Sequence, residues 1–402
     1  MLPTITEELA AALSDAAIRE PDWSDLEWRI ARMVAVVHGI SPLLSERLNW
    51  TGAPGWRAFL ESQRTHVAMR YGRMAVLLDE IDIQASRTGL AFVPLKGEAL
   101  HAIGLYTAGE RPMADIDLLV RQQDLPRMNR LLVGLGYRAI SVKADEHVLV
   151  PVSRPPQPHL AEHADNGITI EVHATISRSM PVRLVDITSE LWLSTPHPGR
   201  NDYPSLAALM GHLLMHAAFN MQVRSLRMIQ LHDMALLAGR LSVADWSALL
   251  DPGAGRARPW WAMPPLHLIE RYYPGAISRS AITALEPGCG ALLRIAASRF
   301  RLSDVSVSNP RRPAFPGLLW AGSMPEAFDW VGARLRRGTQ ALRGDIAIQG
   351  ITELQPWITR SHRRRMFEVL LRRPRSETAL MVAAALTGEL WSASAQEQPN
   401  VV

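Results

Sequence analysis

Arg111-Pro-Met-Ala-Asp-Ile-Asp-Leu-Leu-Val120 decides the fold. It sets Asp115 and Asp117 one residue apart inside an apolar run that reads as a β-strand. Side chains alternate along a strand, so the two carboxylates share one face while Ile116, Leu118 and Val120 face a core. Adjacent anions on one face repel each other, which favours a shared cation. Oxygen donors of this kind suit Mg²⁺ or Mn²⁺, with substrate phosphates completing the shell. Alone, an Asp-x-Asp pair also fits a solvated turn, or the metal site of a sugar-nucleotide glycosyltransferase.

The residues upstream narrow the choice. Leu90-Ala-Phe-Val-Pro-Leu95 reads as a short buried strand, followed by Lys96-Gly97 and a helical stretch from Glu98 to Tyr106. Strand, glycine turn and helix start form an anion site, because free N–H groups and the helix dipole point at the ligand. Lys96 adds a full charge there. Lys96 and Lys143 are the only lysines of the chain; every other strong base is arginine. A glycosyltransferase would also need a longer α/β domain ahead of its Asp-x-Asp, and what precedes it here is mostly helical.

Leu-Lys-Gly, an arginine and Met-x-Asp-Ile-Asp-Leu-Leu-Val together resemble the uncharacterised nucleotidyltransferase family of the DNA polymerase β-like superfamily. The resemblance covers roughly residues 60 to 240. It implies that Asp115 and Asp117 hold Mg²⁺ (or Mn²⁺) and that Lys96, Gly97 and Arg111 serve the nucleotide. The third carboxylate would be Glu171, in the alternating stretch Ile168-Thr-Ile-Glu-Val-His173, as metal ligand and acceptor of the nucleophile's proton. Lys-Gly stands where many relatives have Gly-Ser. Glu98 replaces the small residue that often follows the glycine; it is either a partner of the helix dipole or a charge that repels a triphosphate.

The expected fold is α+β, with a small mixed sheet and its helices embedded between N- and C-terminal helical regions. The divisions are 1–88 (helical), 89–178 (the α/β catalytic core), 179–250 (helices packed on the core) and 251–402 (helical and arginine-rich). Apolar residues at three- and four-residue spacing mark helices at 9–13, 28–37 and 70–81, with turns at Ser41-Pro42 and 51–55. A helix is expected from Asp124 to Leu135 and strands at Tyr137–Val142, His147–Val152 and Ile168–Ala174. Ser205 to Gly239 is the strongest later helical segment, 251–276 reads as a connection, and Ser392 to Val402 as a frayed end.

At 402 residues, with 48% hydrophobic and 20% charged residues, the composition is that of a globular protein. No apolar run approaches the ~18 to 20 residues of a membrane span. The start is acidic, with no basic-then-apolar pattern, so no signal peptide is expected. Cys289 is the only cysteine, which excludes an internal disulfide and fits a cytoplasmic location. The net charge of +4 does not by itself call for nucleic acid.

Further candidates follow the same chemistry. His173 shares the Glu171 face and could orient it or touch substrate. His212 and His216, four apart, share a helix face, but no companion ligands support zinc. With Asp233 they are candidates for an acceptor pocket; Arg227 and Asp233 read as a buried pair or a pocket wall. Arg334, Arg336, Arg337, Arg343, Arg360, Arg363, Arg364, Arg365, Arg372, Arg373 and Arg375 would suit RNA, yet Trp357 and Phe367 are the only aromatics among them. The expected partners are an NTP and an acceptor that is a small molecule, peptide or protein in preference to RNA. Toxin-like modification of tRNA and an inactive nucleotide-binding module are the alternatives. The oligomeric state is not legible.

Overall fold

The structure, a computed structural model, describes residues 1–154, 161–180, 183–251, 253, 258–311, 317–336 and 376–387. Four helices open the chain: α1 (Leu2–Ser14), α2 (Asp25–Val37), α3 (Ser41–Arg47) and α4 (Trp56–Thr88). At α2, Ser24 accepts from the Glu27 N–H while the Glu27 carboxylate accepts from the Ser24 N–H, a reciprocal cap. Ser41-Pro42, expected as a turn, instead begins α3. Proline is tolerated there because a helix's first turn has no use for its missing N–H.

The 33-residue α4 is the spine of the α/β unit. Val67, Arg70, Met74, Leu78, Ile81 and Ala85 form one buried stripe along it. Gly89 ends the helix at φ +68°, where a side chain would be strained. The chain then turns into β1 (Ala91–Pro94), α5 (Gly97–Ala102), β2 (Asp115–Val120), α6 (Leu125–Gly134), β3 (Tyr137–Val142), β4 (Glu146–Pro151) and β5 (Thr169–His173). A small hairpin, β6 (Ser177–Met180) and β7 (Arg183–Asp186), and the two-residue β8 (Gly199–Arg200) follow; none of these three was expected. The expected helix through Tyr106 closes early, at Ala102.

Six strands form one mixed sheet in the order β3-β4-β5-β2-β1-β8. β2 lies between antiparallel β1 and parallel β5. One face carries Phe92, Ile116, Leu118, Val120, Ile170 and Val172 against the α4 stripe and α6, through Met128 and Leu132. On the other face, Val93, Leu95 and Leu119 join the larger core with the N-terminal helices, α7 (Leu206–Val223) and α8 (Met228–Ala238). The sheet is therefore sandwiched, as the α+β expectation requires.

The helical segment expected at 205–239 forms two helices, α7 and α8. α7 stops at Arg224, a non-glycine residue in the left-handed conformation (φ +56°). After α9 (Val243–Leu250), the expected connection 251–276 contains α10 (Met263–Tyr272), which packs on α7 and α8. Helix Ser376–Thr387 lies against α2, with Met381 and Ala385 buried. Arg334 and Arg336 close helix Met324–Arg336. The other C-terminal arginines, and the end from Ser392, lie outside the described residues. Among the described residues no helix is long and apolar enough to cross a membrane.

Candidate active site

The β2–β5 register builds the site. Asp115 pairs with Thr169, Asp117 with Glu171 and Leu119 with His173. Partners in parallel strands point to the same face, so Asp115, Asp117, Glu171 and His173 project together, away from the α4–α6 core. Asp117 is buried, whereas Asp115 and Glu171 are part-exposed. His173 Nε2 lies 3.0 Å from Asp117 Oδ1 and 3.6 Å from Glu171 Oε2; its Nδ1 is 3.8 Å from Glu146 Oε1 on β4.

Lys96 closes the cluster from β1. Its Nζ donates to both oxygens of Asp117, each at 2.9 Å. The backbone that delivers it is strained, with φ +52° and ψ −111°, a region that β-carbons avoid. The Lys96 N–H donates to Tyr203 Oη at 3.4 Å, and that hydroxyl lies 2.7 Å from His212 Nδ1 on α7. Burial and the Lys96 charge push His212 down to about 3, so the imidazole is neutral and shares one hydrogen bond with the Tyr203 hydroxyl. Gly97 is needed for a different reason: a Cβ there would stand 2.4 Å from Arg111 Nη1 and 2.6 Å from Met113 Sδ.

The charges are strongly coupled. Burial raises the pKa of Asp117, but Lys96 and His173 outweigh it and hold the carboxyl well below the usual range. Burial and the neighbouring Asp117 raise that of Asp115. Glu171 is pushed up to about 7 by burial, Asp117 and Asp115. Burial opposes the Lys96 charge, yet Asp117 and Asp115 raise its pKa on balance. One carboxylate is thus fixed as an anion while burial and like charge make its neighbours harder to ionise, a pattern typical of reactive sites.

Other expected residues fall nearby but are differently engaged. The Arg111 fork is spent on Asp233 of α8, through bonds of 2.8 and 2.7 Å, and Tyr106 Oη donates to the same carboxylate at 2.7 Å. The buried pair expected between Arg227 and Asp233 is formed by Arg111 and Asp233 instead; Arg227 Nε donates to the Val37 carbonyl at 2.8 Å. Among the described residues, His212 and His216 belong to no candidate metal group; burial holds His216 far below its usual pKa, with Lys96 adding to the effect. Glu98 is buried, and burial pushes it up to about 7.

Sequence reasoning missed three contributors. Arg70, buried in the α4 stripe, donates to the carbonyls of Met113, Ala114 and Asn166 at 3.0, 2.6 and 2.9 Å. It thereby pins both segments that lead into β2 and β5. An arginine on an otherwise apolar stripe was the available signal. Tyr203 and Glu146 gave none, since each reaches the site through a pairing distant in sequence.

Asp117, Glu171 and His173 offer one ligand atom each within 4.8 Å of one another, and this trio could hold a metal. The fit is supported by Lys96, whose ammonium already sits as a cation across both oxygens of Asp117. Asp115 is not part of the trio. No curated protein and no solved structure matches the chain. The model of a family described as uncharacterised nucleotidyltransferases matches residues 24–267, which include every element of the sheet and α7 and α8. With more than half of its length matched, the chain belongs to the uncharacterised nucleotidyltransferase family.

Proposed function

We propose that this chain moves an NMP from an NTP to an acceptor nucleophile, releases pyrophosphate and depends on Mg²⁺ or Mn²⁺. The β2–β5 register supports the reading best, because it sets Asp117 beside Glu171 on the face that Lys96 reaches. Asp115, Asp117 and Glu171 would hold the metal with His173 beside them; when bound, it neutralises phosphate charge and acidifies the nucleophile. The imidazole in the trio suits Mn²⁺ at least as well as Mg²⁺.

The chain's own groups supply the rest. Lys96 and the Gly97 turn grip the β and γ phosphates, with Tyr203 and His212 bracing the turn from behind. The acceptor oxygen attacks the α-phosphorus in line, the bond from that phosphorus to the bridging oxygen breaks, and pyrophosphate leaves. Glu171 takes the nucleophile's proton, a role for which a pKa of about 7 is well placed. Arg111, facing Asp233, acts by positioning Gly97. The remaining enhancement comes from alignment and charge neutralisation.

A small molecule, peptide or protein in the cytoplasm is the favoured acceptor over RNA. The test incubates purified protein with NTPs radiolabelled at the α-phosphorus, Mg²⁺ or Mn²⁺, and cell extract. An Asp115→Ala/Asp117→Ala chain serves as control. Label in a small molecule, peptide or protein, lost in the control, is the expected result; label in tRNA points to the toxin-like alternative. NTP binding with neither label transfer nor pyrophosphate overturns the enzymatic reading.

A further inference from the structure

One stripe of α7 meets the site's surroundings at two places. His212, His216 and Phe219 follow one another at spacings of four and three, so they share a helix face. At one end His212 meets Tyr203, which accepts from the Lys96 N–H. At the other end, about 10 Å further along the helix, the Arg178 guanidinium lies over the Phe219 ring, 5.4 Å from its centre. Arg178 and Met180 occupy the same face of β6, since strand side chains alternate. Met180 is fully buried and its Sδ accepts from Gln222 of α7 at 3.1 Å, so this face is docked on the helix. Arg178 is thereby turned toward α7 and remains part-exposed.

Arg178 stands among the site's charges without being spent on one. Burial holds His212 and His216 far below their usual pKa; Lys96 adds to this, and so does Arg178. Burial raises the Glu146 pKa, but Lys143, His173 and Arg178 together bring it below its ordinary value. Lys96, Arg70 and Arg111 are each tied to a carboxylate. Arg178 forms no ion pair among the described residues, and its hydrogen bond there runs from Nη1 to the Ser177 carbonyl at 3.0 Å. The rest of its planar fork is left for a ligand, and such a fork suits a carboxylate or a phosphate. In the strand order β4-β5-β2-β1, Lys96 stands at the β1 end, and Glu146, which feels Arg178, at the β4 end. With the nucleotide held from the Lys96 end and Glu171 of β5 as proton acceptor, Arg178 stands on the acceptor's side. We propose that the acceptor is a small hydroxylated acid whose carboxylate or phosphate is held by Arg178. Its hydroxyl oxygen bonds to the α-phosphorus, the hydroxyl proton passes to Glu171 and pyrophosphate leaves. One fork selects a single acidic group, whereas a nucleic acid would call for a row of bases. The proposal rests on nucleotidyl transfer by this chain.

The test follows label from NTPs radiolabelled at the α-phosphorus, with Mg²⁺, into the small-molecule filtrate of cell extract. Wild type, Arg178→Gln and Arg178→Lys are compared, and NTP binding to each is measured by calorimetry. Passing the filtrate through a quaternary-ammonium resin should remove the acceptor, and the salt eluate should restore it. Phosphatase treatment of that eluate, with the phosphatase then removed, separates the two acids: lost labelling means a phosphate and retained labelling a carboxylate. Loss of a charge-assisted pair predicts that Arg178→Gln needs about tenfold or more filtrate to reach the wild-type rate. Arg178→Lys, which keeps the charge without the fork, should fall between. NTP binding should be unchanged in both, which also shows that they fold. An acceptor that passes the resin, labelling that needs the macromolecular retentate, a wild-type dose dependence in Arg178→Gln, or NTP binding weakened by that change overturns the proposal alone. No label from a wild type that still binds NTP overturns nucleotidyl transfer, and the proposal with it.

Discussion

Lys96 stands in a backbone conformation that costs a β-carbon on the order of 1 kcal/mol or more, at the position where its charge reaches Asp117. Glycine would relieve the strain but lose the ammonium. Comparing Lys96→Gly with Lys96→Ala separates the two effects, because both lack Nζ and only alanine keeps the strain. The glycine chain should be the more stable by about 1 kcal/mol in urea denaturation, and both should lose transfer activity. Equal stabilities would mean that the turn relaxes. Glu98 yields a second prediction. Burial raises its pKa to about 7, so the folded chain holds this proton more tightly than the unfolded one. Its stability contribution is therefore complete below the unfolded value and lost as pH climbs to about 7. Glu98→Gln removes that dependence. Its stability relative to wild type should be constant below about pH 4.5, rise with pH, and level off above 7 after a gain of about 3 kcal/mol. A difference flat from pH 4 to 8 would show that Glu98 titrates normally.

β2 and β5 were readable because their chemistry alternates. Asp115-Ile-Asp-Leu and Thr169-Ile-Glu-Val-His173 separate a polar face from an apolar one at strand period, and the structure pairs those faces in register. β6, β7 and β8 were not readable, since Ser177-Arg-Ser-Met180 has no such alternation and two residues at Gly199–Arg200 carry no pattern at all. The break after α7 was equally hidden, because Arg224 adopts a conformation that sequence reasoning reserves for glycine or asparagine. Long-range pairing was the hardest part. Nothing local says that Asp233 takes Arg111 in place of Arg227, because the choice depends on how α8 docks beside the segment before β2. That docking is testable. Asp233 is 1% exposed, so Arg111→Met leaves a buried carboxylate with Tyr106 as its remaining donor. The expected loss is about 3 to 5 kcal/mol in chemical denaturation. The double chain Arg111→Met/Asp233→Leu removes both charges and should recover much of that loss. If the single and double changes cost the same, the pair contributes through packing and not through charge.

Across the whole molecule, the site belongs to both cores at once. The larger core runs from α1 through the site-bearing face of the sheet to α10 and helix Ser376–Thr387, while the smaller one backs the opposite face. β2 contributes Leu119 to the first and Ile116, Leu118 and Val120 to the second. Loosening the sheet thus exposes both cores, and a cation held by Asp117, Glu171 and His173 should stabilise the chain as one unit. The tryptophans provide a reporter. Trp23, Trp28, Trp50 and Trp56 pack edge-on or tilted in the N-terminal helical region, away from the carboxylates. In chemical denaturation followed by tryptophan fluorescence, Mn²⁺ at a hundred times its Kd should add about 3 kcal/mol through binding to the folded state alone. Asp117→Ala should abolish the gain. At one fixed Mn²⁺ concentration the gain should be smaller at pH 6 than at pH 8, because Glu171, raised to about 7, must give up its proton to serve as a ligand. If Mn²⁺ binds but the tryptophan transition does not move, the regions that carry the tryptophans unfold independently of the metal site. An equal gain at both pH values would remove Glu171 from the metal's shell.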